Sequence, residues 1–197
     1  MRLKTRMVLI AVLAMAPYVA SAQTPRPPTP TPPTNVTSNT FGDWVLRCEN
    51  LRAPASGRGC ELLQSLQSER GQPVAQFALG RSQSSDPMRL LVLIPANITV
   101  ATPILLQLAD RAAPIAVSLR ACGPRGCVAD ADLNAAQLAR IRAREAQGVG
   151  QGVSQGVGQG VSGARLEYRN ALNAEVVLPF STRGFGQALE ALAREGF

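Results

Sequence analysis

The chain has 197 residues, 20 Lys and Arg against 13 Asp and Glu, and no histidine, a length that suits one ordinary domain with extensions. Its only lysine is Lys4, so the body of the chain is closed to Ser-His-Asp and Cys-His catalysis, Schiff-base lysine chemistry and histidine-bearing zinc sites. An enzyme here would have to work through paired carboxylates or a reactive thiol.

The first residues are predicted to be a leader. Arg2, Lys4 and Arg6 precede the apolar run Met7 to Ala16, and Ala20 and Ala22 supply the small residues of a cleavage site after Ala22. The run is shorter than the roughly 20 residues that span a bilayer, so stable membrane insertion after removal of residues 1–22 is not expected. Without those residues the net charge is +4 instead of +7. The remaining basic residues are all arginine, scattered, and the whole chain has eight aromatics. A nucleic-acid surface would cluster its cations or interleave them with aromatics, so nucleic acid is not an expected partner. Residues 23–38 contain "TPRPPTPTPPT", Thr24 to Thr34, whose prolines exclude helix and sheet and favour a stiff polyproline II spacer. The domain is expected over 39–197.

From Phe41 the apolar period is two. In "DWVLRCE" Trp44, Leu46 and Cys48 share a face, which predicts a half-buried strand. "CELLQSLQ" from Cys60 and "PVAQFALG" from Pro73 read as the next strands of an antiparallel ribbon. "MRLLVLIP", Met88 to Pro95, is a continuous apolar run and is predicted to be buried on both faces. "ILLQLADRAAPIAVSLRAC" divides at Ala109 to Pro114 into two strands about a turn. Two segments read as helices. In "DADLNAAQLARIRAREAQ" Asp130 or Asp132 is the expected cap, Leu133, Leu138 and Ile141 lie on one side, and Arg140, Arg142 and Arg144 suit the helix C-terminus. In "STRGFGQALEALAREGF" Phe185, Ala188, Leu189 and Leu192 form the apolar stripe and Ser181 is the expected cap. Between the helices "ARLEYRN" and "AEVVLPF" read as a hairpin turning at "RNALN". Many short strands separated by turn signals suggest a sandwich or barrel.

The run "QGVGQGVSQGVGQGVSG", Gln147 to Gly163, repeats Gln-Gly-Val-Gly/Ser four times. Its glycines keep backbone entropy high, and one valine in four residues makes no buried stripe. It is expected to be a flexible surface insertion at 147–163 that joins elements already explained without it.

Four cysteines, Cys48, Cys60, Cys122 and Cys127, behind an export signal read as two disulfides. Three pairings are possible, and proximity favours Cys48 with Cys60 and Cys122 with Cys127. On the chain-entropy account, loops of roughly 13 and 6 residues contribute about 3 and 2 kcal/mol. No cofactor or metal is expected.

Together, "FGDWVLRC" from Phe41, "CELLQ" from Cys60, "CGPRGCVA" from Cys122 and "VVLPFSTRGFGQALEAL" from Val176 resemble the invasion-associated locus B family of secreted bacterial proteins. The likeness covers residues 41–193. It implies an all-β, immunoglobulin-like β-sandwich with one or two short peripheral helices, and the pairs Cys48/Cys60 and Cys122/Cys127. It brings no catalytic motif; some members are associated with entry into erythrocytes. The proline spacer and the Gln-Gly-Val insertion are not part of the family pattern. The resulting expectation is a non-enzymatic, exported interaction protein, periplasmic or at the cell surface, with a protein partner in the envelope or on a host cell. A periplasmic chaperone, or a hydrolase drawing carboxylates from Asp130, Asp132, Asp43 or Glu61, are the competing readings.

Overall fold

Alternating burial along each strand is the local signature from which the architecture follows. In Trp44–Asn50 every second side chain from Trp44 to Cys48 is buried, because a pleated strand sends successive side chains to opposite faces. The computed structural model describes residues 36–51, 57–68, 70–146 and 164–197. The leader, the proline run and the Gln-Gly-Val repeat lie outside them. In chain order come β1 (Thr37–Phe41), β2 (Trp44–Asn50), β3 (Arg58–Gln67), β4 (Pro73–Gly80), β5 (Met88–Ile94), β6 (Ile104–Gln107), β7 (Ile115–Gly123), β8 (Gly126–Leu133), α1 (Ala135–Ala146), β9 (Arg165–Arg169), β10 (Glu175–Pro179) and α2 (Phe185–Arg194). Thr37 and Ser38, within the segment assigned above to the spacer, already pair with Cys48 and Arg47.

The class is all-β. The strands hydrogen-bond in one continuous antiparallel order, β1-β2-β3-β4-β5-β8-β7-β6-β9-β10, and the sheet curls. Strand β7 makes the curl possible. Its first half, Ile115 to Val117, pairs with β6, while Ser118 to Gly123 pair with β8 across an irregularity between Leu119 and Ala121. An extra residue at such a point bends and twists the strand, so β7 serves both halves of the sheet. The two expected strands about Ala109 to Pro114 and the hairpin at 170–174 are present as β6/β7 and β9/β10. Asn170 closes that hairpin turn, its side-chain oxygen accepting the N–H groups of Leu172 and Ala174 at 3.0 Å each.

The concave face holds the core. Trp44 meets Phe180 and Phe185 edge-on at centroid distances of 5.6 and 5.3 Å, and Phe77 meets Phe180 at 5.1 Å. Edge-to-face geometry places the positive rim of one ring on the negative face of the next. Helix α2 lies on β1, β2 and β3, and α1 packs on α2. Among the described residues no helix is long and apolar enough to cross a membrane.

Three expectations are corrected. The apolar run Met88–Ile94 is buried on one face only: Leu90 and Val92 are fully buried while Leu91 is 40% exposed. Periodicity alone does not show a second face that happens to be leucine on the outside of the sheet. Asp130 and Asp132 do not cap α1; they belong to β8. The cap is Asn134, which accepts the Gln137 N–H and receives Gln137 Oε1 on its own N–H, both at 2.9 Å, a reciprocal capping box. Ser181 does not cap α2, which starts at Gly184 in the left-handed region. The helical arginines are tied to neighbouring parts of the fold. Arg140 forks onto Asp110 at 2.7 and 3.0 Å, Arg142 reaches Glu190 at 2.7 Å, and Arg144 reaches the Ala109 carbonyl at 3.2 Å.

Candidate functional site

Both disulfides join residues that face each other in register, Cys48–Cys60 across β2 and β3 and Cys122–Cys127 across β7 and β8. They staple hairpins. Cys48, Cys60 and Glu195 do come together, but the sulfurs are consumed in the disulfide and Glu195 pairs with Arg58 at 3.0 Å.

The segments "GDW" and "FSTRGF" meet in a clasp between the start of β2 and the start of α2. The Trp44 indole N–H donates to the Ser181 carbonyl at 2.9 Å, and the Gln64 amide both donates to that carbonyl and accepts the Ser181 N–H, each at 3.0 Å. Asp43 accepts the Ser181 hydroxyl at 2.5 Å and the Arg183 guanidinium, while its own N–H donates to the Arg183 carbonyl at 3.1 Å. Burial works against the Asp43 charge, but the hydrogen bonds from Arg183 and Ser181 and the Arg183 charge prevail and hold its carboxyl below the usual range. Glu145 of α1 completes the clasp, its two oxygens accepting the N–H groups of Gly184 and Gly186 at 2.7 Å each. A carboxylate there satisfies the unpaired amides that begin a helix. The residues that carry the family likeness at both ends of the domain are therefore spent on closing the fold.

The four carboxylates considered for hydrolysis are not assembled. Asp43 is held by Arg183, Asp130 by Arg120 at 2.6 Å, and Asp132 by Arg89 at 2.9 Å. Glu61 opens onto a cavity. That cavity, about 540 Å³, lies on the convex face of β3, β4 and β5 under the loop that joins β4 to β5. Its floor is Gly80, Ala78 and Leu91, and its charged walls are Glu61, Arg81, Asp86 and Arg89.

Register explains the opening. Arg47, Glu61, Gly80, Arg89 and Asp132 stand in one row across β2, β3, β4, β5 and β8. Charges alternate along it except at Gly80, which has no side chain. The Glu61 and Arg89 backbones thus stand two strand spacings apart, about 9.6 Å, and Arg89 turns to Asp132 on its other side. Burial pushes the Glu61 carboxyl above its usual range; the Arg47 charge opposes that shift and Glu49 adds to it. The Arg81 Nε is buried without a hydrogen-bond partner. Sequence reasoning singled out Glu61 but not Arg81, Asp86 or Arg89. Their association needs the β4/β5 register, which no local pattern displays.

A half-buried acid whose pKa is raised makes the charged form a burden on the fold. Ionisation of Glu61 costs nothing below the unfolded pKa and costs most above the folded one. Glu61→Gln is accordingly expected to raise the melting temperature at pH 7 and to leave it unchanged near pH 3, where both states are protonated. Thermal unfolding of the two proteins at both pH values checks this, and an equal shift at both would remove the electrostatic explanation.

Fold and site together define a disulfide-stapled all-β domain whose C-terminal helix is locked onto its second strand. The chain belongs to the invasion-associated locus B family: the description "Invasion associated locus B (IalB) protein" matches residues 44–193. Among solved structures it is similar to invasion associated protein B from Bartonella henselae, at 19% identity and a TM-score of 0.60, covering 82% of this chain and 99% of that one. At that identity the likeness is one of fold. No curated protein matches by sequence. The disulfides and the family mark an extracytoplasmic protein.

Proposed function

We propose that this is an exported, non-enzymatic interaction protein of the periplasm or cell surface, which holds a protein partner of the envelope or of a host cell on the convex face of its sheet. The observation that carries this reading is an apolar strip on adjacent central strands that is left exposed among the described residues. Leu91 and Val128 are 40% and 37% exposed, and half-buried Leu93 lies between them, paired with Val128. Apolar side chains grouped on a sheet face without a covering layer are a common means of holding a partner. The name of the similar Bartonella henselae protein, invasion associated protein B, supports a surface role. We also infer an immunoglobulin-like sandwich, which is supported by β7 serving both halves of the sheet.

Affinity capture from envelope extracts tests it, with three baits: the domain from residue 23, the same domain lacking residues 146–163, and Leu91→Glu. A discrete protein retained by the first two and lost, by at least tenfold, with Leu91→Glu is the expected result. Retention by all three baits would sink the convex-face reading. Loss with the deletion would move recognition to the Gln-Gly-Val insertion. One observation favours a second reading, a carboxylate-dependent hydrolase: Glu61, with its raised pKa, lines the same cavity as Asp86. That lining offers no aromatic platform for a sugar. Turnover of a glycan that is abolished by both Glu61→Gln and Asp86→Asn would establish it.

A further inference from the structure

The row of charges across the convex face has one missing rung, and the groups around the gap specify what fits there. On one side stands Glu61, which makes no side-chain hydrogen bond among the described residues and has the Arg47 charge only on its far side. On the other stand Arg89, already bonded to Asp132 at 2.9 Å, and Arg81, a lining residue whose guanidinium makes no hydrogen bond or ion pair among the described residues. Asp86 at the rim accepts the Gln83 N–H at 3.1 Å and lends its charge to Arg89. Two acids and two bases line the cavity, so a ligand with a net charge of either sign is disfavoured. What the gap lacks is a donor toward Glu61 beside an acceptor toward Arg81. The space is open because position 80 is glycine. A Cβ there would stand 3.3 Å from the Cys60 carbonyl oxygen and 3.6 Å from the Glu61 Cβ, directly over the floor. Ala78 and the exposed Leu91 provide an apolar seat beside the polar pair.

We propose that the cavity over Gly80 binds one aliphatic amino-acid unit, its donor nitrogen on Glu61, its acceptor oxygen on Arg81 and its side chain on Ala78 and Leu91. The same chemistry is offered by a free amino acid, with an ammonium and a carboxylate, and by a unit inside a peptide, with an amide N–H and a carbonyl. The site shares Leu91 with the apolar strip of the proposed partner surface, and it stands whether or not a protein partner uses that strip. Nothing in it requires a covalent step.

The test is a two-dimensional amide NMR titration of the isotope-labelled domain from residue 23 with L-leucine and, separately, with N-acetyl-L-leucinamide; glycine serves as the control without a side chain. A ligand of this size at modest efficiency binds with a Kd of about 1 mM. Saturable shifts confined to the amides around Glu61, Gly80, Arg81 and Leu91, from at least one leucine probe and not from glycine, are expected. Leucine alone would identify a free amino acid as the source, and the capped amide a peptide unit. Arg81→Gln should weaken binding about tenfold, since it removes a charge-assisted hydrogen bond, and Gly80→Val should abolish it by filling the gap. If Gly80→Val does not fold, Arg81→Gln, on the rim of the cavity, still decides the matter. No saturable shift with either leucine probe at about ten times that Kd, or shifts that survive Arg81→Gln unchanged, would overturn the proposal. Arg81→Gln, which lies outside the apolar strip of Leu91, Leu93 and Val128, should weaken leucine binding while retaining the captured partner, and that split separates this site from the partner surface.

Discussion

Trp44→Ala should cost about 3–5 kcal/mol of stability, a large share of the roughly 5–15 kcal/mol that holds a typical domain together. Trp44 has no solvent exposure and meets Phe180 and Phe185 edge-on, so truncation removes its own burial and two ring contacts and leaves a cavity that the disulfide-pinned strand β2 cannot close by shifting. Trp44→Phe keeps a ring, though a smaller one, in the aromatic cluster. It removes the indole N–H, but the Ser181 carbonyl still accepts the Gln64 amide at 3.0 Å, so no buried oxygen is stranded and the expected cost is about 1–2 kcal/mol. Because Trp44 is the only tryptophan, unfolding in urea must be followed by far-ultraviolet circular dichroism. Equal losses for the two variants would mean that the hydrogen bond, not the ring cluster, holds the clasp.

How much of this was legible in the sequence depends on the range of the signal. Strands with a strict period of two were readable from a window of a few residues: β2, β3 and β4 stand where the alternation places them. The disulfides matched the nearest cysteines because each bridges a hairpin, so proximity in sequence and in space coincide. β1 was missed because Thr37 to Thr40 are exposed and the strand joins β2 chiefly through its backbone, which leaves no apolar pattern to read. The α1 cap was missed although Asn134 and Gln137 have capping-box spacing; two aspartates earlier in the segment offered equally good caps, and only their membership of β8 removes them. Ser181 has the residue type of a cap, but a partner 138 positions away, Asp43, takes its hydroxyl. The cavity was the least legible feature. Its charged row is assembled from five strands whose relative register is a tertiary property, and its opening comes from the side chain that Gly80 lacks.

Gly184→Ala is expected to destabilise the domain by about 3 kcal/mol or more, through two additive causes. Gly184 has φ +81°, a conformation that costs a residue with a Cβ about 1–2 kcal/mol, and that Cβ would stand 2.0 Å from the Phe41 carbonyl oxygen. The approach is mutual, since a Cβ on Gly42 would stand 2.5 Å from the Arg183 carbonyl oxygen. Two backbone turns thus pass closer than any side chain allows, and the Asp43–Arg183 and Trp44–Ser181 bonds depend on that proximity. Gly71→Ala provides the comparison. Its φ is +72°, nearly the same, with nothing within 4 Å of the added carbon, so it reports the backbone cost alone at about 1 kcal/mol. The excess of Gly184→Ala over Gly71→Ala in urea midpoint measures the steric part. A second test follows from coupling: once Gly184→Ala has parted the turns, Asp43→Asn should add less than it costs by itself, whereas independent sites would add in full. Equal losses at positions 71 and 184, or full additivity, would show that the turns can separate without loss. The clasp would then not account for residues 42–44 and 181–185, and those positions would re-enter as candidates for recognising the partner.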